Sequence, residues 1–320
     1  MKLALIGYGN VGRAFARLME RKQSTYPSRI VAIHTARHGT AYAPKGLPVD
    51  PVFGPPAASI DEFLDKARAE VAVELTPLNP ESGEPAISHI RAAFARGMHV
   101  VTANKGPIAF AYSTLRREAI AAGVEFRFEA VTMDGTPVFN LVQNNLPGVE
   151  ILGFSGALNS TSKVILEAMR AGLSLEEGIE EARRIGVTEA DPWFDINGWD
   201  SACKAAALAN VLMKAETTPQ QVDRKGIGRL TPDKLAELES KGKSVTLLSR
   251  ARKTPQGVKL RVRAEVLDKD DILSACRGTS NLLVLHTDLM GDIGVFTLKP
   301  GLDQTAYGLF SDLVDIVRNV

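Results

Sequence analysis

Apolar positions along this chain recur in two patterns, and the balance between them changes near residue 137. Short apolar runs stand at 2–6 (KLALI), 29–35 (RIVAIHT), 71–76 (VAVELT), 99–104 (HVVTAN) and 124–130 (VEFRFEA), the signature of buried strands. Among them lie VGRAFARLMERK, ISHIRAAFARG and STLRREAIAAG, whose apolar residues fall three and four apart as on one face of a helix. Strands alternating with helices over the first 130 residues predict a parallel sheet wound on both faces. Pro137, Pro147 and Gly148 punctuate the change. Beyond them come a strand, VEILGFSGAL, and a helix, TSKVILEAMRAG. In SLEEGIEEARRIG, Ser174 is placed to cap a helix and Glu177 to complete a capping box. In TPDKLAELESKG, Pro232 takes the first helical position behind Thr231. VTLLSRARK and VKLRVRAEVL flank TPQG as an antiparallel hairpin, NLLVLHTDL and IGVFTLK repeat that plan, and QTAYGLFSDLVDIVRNV closes as an amphipathic helix. The fold class predicted is α/β, with a doubly wound unit over 1–130 and a second, α+β unit over 131–300.

Composition narrows the function. The 320 residues are 45% hydrophobic and 23% charged, globular values for two domains. Thirty-eight basic residues against 37 acidic give a formal charge of +1, so nothing draws nucleic acid or an anionic membrane. No stretch approaches a membrane-spanning length. MKLALIG is too brief for a signal peptide and reads as a first strand. Cys203 and Cys276 lie far apart without a CxxC, which suits two reduced thiols in a cytoplasmic protein.

Gly7, Gly9 and Gly12 form G-x-G-x-x-G (GYGNVG) between the first strand and a helix. In that context the first glycine makes a tight turn, the second admits a pyrophosphate to the backbone, and the third lets helix and strand pack closely. This is a Rossmann-type dinucleotide site, with Asn10 and Val11 inside the motif as further contacts. An acidic residue ending the second strand would hold the ribose hydroxyls of NAD. Here Thr35 is followed by Arg37 and His38, and a positive charge suits a 2′-phosphate, so NADP is preferred and NAD remains possible. The alternative is a solvated surface arginine; Lys45 could assist.

The stretch EADPWFDINGWDSACK carries Glu189, Asp191, Asp195 and Asp200 ahead of Lys204. The spacing matches no calcium loop and no histidine accompanies it. These carboxylates better suit an ammonium group on a substrate and the orientation of a catalytic lysine. Trp193 and Trp199 could wall off water there. Asp200 and Lys204, four apart, share a helix face. Either they form an ordinary surface pair, or Lys204 is a proton donor beside a carbonyl that becomes an alkoxide as hydride arrives. Lys105, in VTANKGP after a strand of the first unit, is either a solvated loop lysine or a group near the nicotinamide.

GYGNVG, TANK at 102–105, E-A-x-x-x-x-G-T-P at 129–137, T-E-x-D-P-x-x-D-x-N-G-x-D-x-x-x-K at 188–204 and GTSN at 278–281 together resemble homoserine dehydrogenase over nearly the whole chain. The resemblance implies reversible, NAD(P)-dependent interconversion of L-homoserine and L-aspartate 4-semialdehyde, running toward homoserine on the route to threonine, methionine and isoleucine. It implies Lys204 as the proton-transferring lysine, Asp200 as its carboxylate and Lys105 as the second active-site lysine, near cofactor and substrate. Glu189 and Asp195 would hold the substrate, Glu189 at its amino group. Thr76 would contact the cofactor, and Gly301 would return with residues 301–320 to the nicotinamide side. A monovalent cation, sodium in most relatives, would lie on backbone carbonyls of Glu129, Thr132, Asp134 and Thr136, and the chain would pair as a homodimer through strands such as those around Val149–Leu158. The family's N-G-T-x-N-Y-I turn appears as NSTSKVI, with Ser160 for Gly and Lys163 for Asn, and its late glycine run is reduced to TLKPG. No regulatory domain or fused kinase is expected. The alternatives are another NADP-dependent amino-acid or semialdehyde dehydrogenase, for which Cys203 could be the nucleophile, and a non-catalytic NADP-binding sensor.

Overall fold

The computed structural model describes residues 1–188 and 192–319. The chain forms two compact units, Met1–Asn140 with Gly301–Val320, and Leu141–Pro300. In the first, β1 (Lys2–Ile6), α1 (Asn10–Lys22), β2 (Arg29–Thr35), β3 (Gly39–Tyr42), α2 (Ile60–Ala67), β4 (Val71–Glu74), α3 (Ala86–Phe94), β5 (His99–Thr102), α4 (Lys105–Ala122) and β6 (Phe126–Arg127) follow in order. The sheet runs β3-β2-β1-β4-β5-β6, parallel except where β2 meets β3.

Successive strand residues point to opposite faces. Leu3, Leu5, Ile33, Val71 and Val73 join Phe15 of α1 and Leu309, Phe310 and Leu313 of the C-terminal helix, Leu302–Asn319. Ala4, Ile6, Ala32 and Ala72 join Phe63, Ile90 and Phe94 on the other side. Both faces are covered, which is why these strands are apolar runs and not alternating ones. The chain goes from β1 to β2 on one side and to β4 on the other. The carboxyl ends of β1 and β4 therefore flank the reversal of strand order at which open α/β sheets bind ligands.

Two elements differ from the sequence pattern. The helix read at STLRREAIAAG begins earlier, at Lys105, because Asn104 caps it by accepting the Gly106 N–H and Pro107 falls in a first turn that needs no donor. Ala111 kinks it, and Gly123, at φ +66°, ends it. The strand read at VEFRFEA shrinks to Phe126–Arg127. Glu129 opens a short 3-10 turn instead, and its carboxylate accepts the backbone N–H groups of Val138, Phe139 and Asn140 at 2.6, 2.9 and 2.8 Å. That buried knot ties the segment after residue 130 to the first unit, which runs on to Asn140.

The second unit comprises β7 (Ile151–Ala157), α5 (Ser160–Arg170), α6 (Leu175–Arg184), α7 (Trp193–Ile196), α8 (Trp199–Met213), β8 (Asp223–Arg224), α9 (Pro232–Ser240), β9 (Lys243–Thr254), β10 (Gly257–Asp268), β11 (Asn281–Thr287) and β12 (Asp292–Thr297). Its sheet, β12-β11-β7-β9-β10-β8, is antiparallel apart from the β8–β10 pair. Ser174 and Glu177 form the expected capping box, and Thr231 caps α9 with Pro232 at its first turn. α8 lies on β9 and β10 and buries Ala202, Cys203 and Ala205 to Ala209 completely. A face of such small side chains lets the helix approach the sheet closely.

Candidate active site

The first unit presents a cradle at the carboxyl end of β1. Gly7 has φ +96°, and a Cβ there would lie 2.7 Å from the Leu75 carbonyl carbon and oxygen and 2.9 Å from the Thr76 nitrogen. No side chain fits. A Cβ on Gly9 would meet nothing within 4 Å, so the cradle is open on that side. α1 starts at Asn10 with no side-chain cap and no acidic residue in its first turn, which leaves the N–H groups of Asn10, Val11 and Gly12 oriented for an anion. These features fit a pyrophosphate.

Beyond β2, Arg37 and His38 are exposed. The His38 N–H donates to Thr35 Oγ1 at 2.8 Å, and the His38 ring lies 5.9 Å from that of Phe53. Thr76, just past β4, donates through N–H (3.1 Å) and Oγ1 to Glu74 Oε1. Asn104 Nδ2 donates to the Thr76 carbonyl at 2.9 Å. Lys105 is not a loop residue but the first residue of α4. Gly301 is exposed at the start of the C-terminal helix, its carbonyl accepting the Thr305 N–H at 3.2 Å.

Of the cation-site residues, Glu129 has its carboxylate occupied by the three N–H groups described above. Burial holds its pKa above the usual value, and those bonds lower it. Its own N–H donates to Asp312 Oδ2 at 2.8 Å. Asp312 is buried in the C-terminal helix, and burial followed by the Glu129 charge raises its pKa well above the carboxylate range. Asp134 (φ 52°) and Gly135 (φ 81°) are both left-handed and turn the backbone between Thr132 and Thr136 back on itself. Thr132 Oγ1 is buried without a hydrogen-bond partner. That orphaned hydroxyl fits a hard monovalent cation, which takes oxygen ligands. Among the described residues no group of three or more His, Cys, Asp or Glu could hold a metal ion.

The second unit gathers the acid–lysine residues. Lys204 Nζ lies 3.3 Å from Asp200 Oδ2, both side chains being mostly buried at 14% and 18% exposure, so this is no ordinary surface pair. Nζ also donates to the Leu158 carbonyl at 2.7 Å. Asn159 Nδ2 donates to Asp195 Oδ1 at 2.6 Å and to Asp200 Oδ2 at 3.0 Å. The Asn159 Oδ1 meanwhile caps α5 by accepting the Ser162 N–H at 2.7 Å. One amide thus fixes a helix terminus and clamps two carboxylates. Burial, then the neighbouring Asp200 charge, raises the Asp195 pKa, and bonds from Asn159 and Thr161 lower it. The sequence reading missed Asn159; its only signal was an amide residue ahead of an apolar-periodic run. Glu189 lies outside the described residues. Trp199 packs under the Arg224 guanidinium at 3.8 Å, and Trp193 is 61% exposed.

The two departures in NSTSKVI have partners. Ser160 Oγ donates to the Thr279 carbonyl at 3.2 Å. The buried Lys163 Nζ donates to Asn281 Oδ1 at 3.1 Å and the Ala157 carbonyl at 3.3 Å. Both tie α5 to the GTSN turn. Cys203 is completely buried, which removes it as a nucleophile. Ser155 Oγ, His286 and Asp292 make a serine–histidine–aspartate array at 3.0 and 2.7 Å. Arg250 Nη1 donates onto the same hydroxyl at 2.6 Å, and Ser155 is 2% exposed, so no carbonyl carbon can reach that oxygen.

A doubly wound sheet with an anion cradle after β1, together with a desolvated lysine–carboxylate cluster, defines a nicotinamide-dependent dehydrogenase. Residues 7–129 match the family model "Homoserine dehydrogenase, NAD binding domain" and residues 137–314 match "Homoserine dehydrogenase". Homoserine dehydrogenase of Methanocaldococcus jannaschii is 34% identical, covering 100% of this chain and 99% of its own. NAD(+)-dependent homoserine dehydrogenase of Pseudomonas canavaninivorans is 33% identical, covering 98% and 96%. The solved structure of a hyperthermophilic archaeal homoserine dehydrogenase mutant in complex with NADPH superposes with a TM-score of 0.84 at 26% identity, covering 100% of this chain and 98% of its own. The chain belongs to the homoserine dehydrogenase family, oxidoreductases with an NAD(P)-binding domain.

Proposed function

We propose that in this enzyme Lys204 is the proton-transferring group for the interconversion of L-homoserine and L-aspartate 4-semialdehyde. The carrying observation is that Lys204 Nζ is desolvated and held by Asp200 and the Leu158 carbonyl. An ammonium has three donors; two are engaged, and the third is assigned to the substrate oxygen. In semialdehyde reduction that N–H stabilises the oxygen as negative charge develops and then passes its proton to it. Asp200 keeps Nζ cationic and aimed. Asp195, clamped by Asn159, is assigned with Glu189 to the substrate's polar end, and Lys105 to substrate and cofactor.

The bound nicotinamide dinucleotide supplies or accepts the hydride. Gly7, Gly9, Asn10, Val11 and Gly12 are assigned to its pyrophosphate, Thr76 to a further contact with the cofactor and Gly301 to its nicotinamide side. Arg37 and His38, with no acidic residue ending β2, favour NADP, with NAD accepted. The orphaned Thr132 hydroxyl and the turn through Asp134 support a sodium site with Glu129 and Thr136. Operation toward homoserine, on the route to threonine, methionine and isoleucine, in a cytoplasmic homodimer built through the second unit's sheet, completes the reading. Among the described residues no helix is long and apolar enough to cross a membrane.

The test is reduced-nicotinamide absorbance with homoserine and NADP or NAD, on wild type and Lys204→Ala. Turnover by wild type and a loss of about 10²–10⁴-fold in the variant are expected, with cofactor binding unchanged. A near-normal rate in Lys204→Ala would remove Lys204 from its role.

A further inference from the structure

Glu74 ends β4 inside an apolar strand and is 1% exposed. A carboxylate in such a place is costly unless its oxygens are satisfied. Here two threonine hydroxyls face them. Thr102 Oγ1 accepts the Asn104 N–H at 3.0 Å and shares its one hydrogen between the Glu74 backbone oxygen at 3.0 Å and Oε2 at 3.3 Å. Thr76 Oγ1 accepts from Asn104 Nδ2 at 3.4 Å and gives its hydrogen to Glu74 Oε1, which also takes the Thr76 N–H. Both side-chain oxygens thus face donors, the pattern an acceptor-only carboxylate requires. His89 Nδ1 stands 3.5 Å from Oε1 without forming a hydrogen bond.

The network reaches two functional elements at once. Thr76 follows the Leu75 backbone that closes against Gly7. Asn104, buried, binds the Thr76 carbonyl and caps the helix that opens with Lys105. Glu74 touches neither cradle nor lysine; it sets the groups that do.

We propose that Glu74 is a positioning residue, which holds Thr76 and, through Thr102 and Asn104, the Lys105 end of α4 in register with the dinucleotide cradle. The inference rests on the assignment of Thr76 and Lys105 to cofactor and substrate. It predicts that Glu74 acts through Thr76, so the two residues are energetically one unit, whereas a merely structural carboxylate would stabilise the fold independently of it.

The experiment measures NADPH affinity by fluorescence in the full chain for wild type, Glu74→Gln, Thr76→Val and the double variant, with melting temperature beside it. Glu74→Gln keeps the shape but puts an amide donor against two hydroxyls and an N–H. Each single variant is expected to weaken NADPH binding about tenfold, the worth of a hydrogen bond to a charged group, and the double variant no more than the weaker-binding single one. Wild-type affinity in Glu74→Gln, or losses that multiply in the double variant, would overturn the assignment. If Glu74→Gln does not fold, Thr102→Val, which removes one donor to Glu74, is expected to weaken NADPH binding several-fold, and unchanged affinity there would overturn it equally. A wild-type chain that binds neither NADPH nor NADH would overturn the cofactor reading itself and this inference with it. Wild-type binding left undisturbed in the variants overturns the role of Glu74 alone.

Discussion

Replacing Asn159 by Ala removes three interactions of one side chain: the cap on α5 and the two bonds to Asp195 and Asp200. Loss of the cap costs about 1 kcal/mol. Loss of a donor shared by two largely buried carboxylates adds about 1.5–3 kcal/mol. The total, about 2.5–4 kcal/mol, lowers the melting temperature at ~2–4 °C per kcal/mol in a unit of this size. The two contributions separate with pH. Asp195 titrates above its usual value in the folded chain, so its ionisation opposes folding, and that penalty grows as pH rises through the raised pKa and vanishes below the unfolded one. The Asn159 bond reduces the penalty, so Asn159→Ala should destabilise more in neutral buffer than in mildly acidic buffer. Asn159→Asp sharpens the test. Aspartate caps as well as asparagine does, but it sets a third negative charge beside Asp195 and Asp200. It should melt lower than wild type at neutral pH and recover on acidification. Thermal unfolding by circular dichroism at the two pH values reads both variants. Melting differences from wild type that do not change with pH, or an Asn159→Asp protein as stable as wild type at neutral pH, would refute the clamp.

Gly7→Ala should abolish dinucleotide binding and destabilise the first unit by more than ~1 kcal/mol, since a Cβ would strike the Leu75 backbone at a positive φ; dye titration and calorimetry check it. Arg37→Asp should lower the preference for NADPH over NADH by about tenfold or more, because a charge-assisted phosphate contact becomes a repulsion; equal ratios in variant and wild type would count against Arg37. Lys163→Met should lower stability by about 1–3 kcal/mol in denaturant unfolding, because the Asn281 and Ala157 oxygens lose a buried donor, and an unchanged midpoint would show that they find other partners.

The sequence made visible whatever depends on neighbours along the chain. The glycine motif, the Ser174 box, the Thr231 cap and the Asp200–Lys204 spacing all lie within a turn or two, where geometry is dictated by local period. Asn159, Glu74 and Asp312 did not show, because their meaning lies in partners brought from elsewhere: Asp195 and Asp200, Thr102, and Glu129. A carboxylate within VAVELT or an aspartate in the apolar stripe LFSDLVDIV was the sole trace. The start of α4 did not show because Gly106 and Pro107 carry no helical period, and only the Asn104 amide places them in a capped first turn. At Trp193 an aromatic residue suggests burial, yet the residue is 61% exposed.

The C-terminal helix places Leu309, Phe310 and Leu313 in the core beside β1, and Gly308 approaches Gly135 so closely that a Cβ would lie 2.5 Å from its Cα. During synthesis the strands of the first unit must therefore wait for residues beyond 300, made some 170 residues after β6. The segment from Leu141 to Pro300 has its own complete sheet and can settle on the nascent chain before the cofactor unit that encloses it in sequence is finished. A pause or premature stop near residue 300 would thus leave the earliest-made strands with an uncovered face.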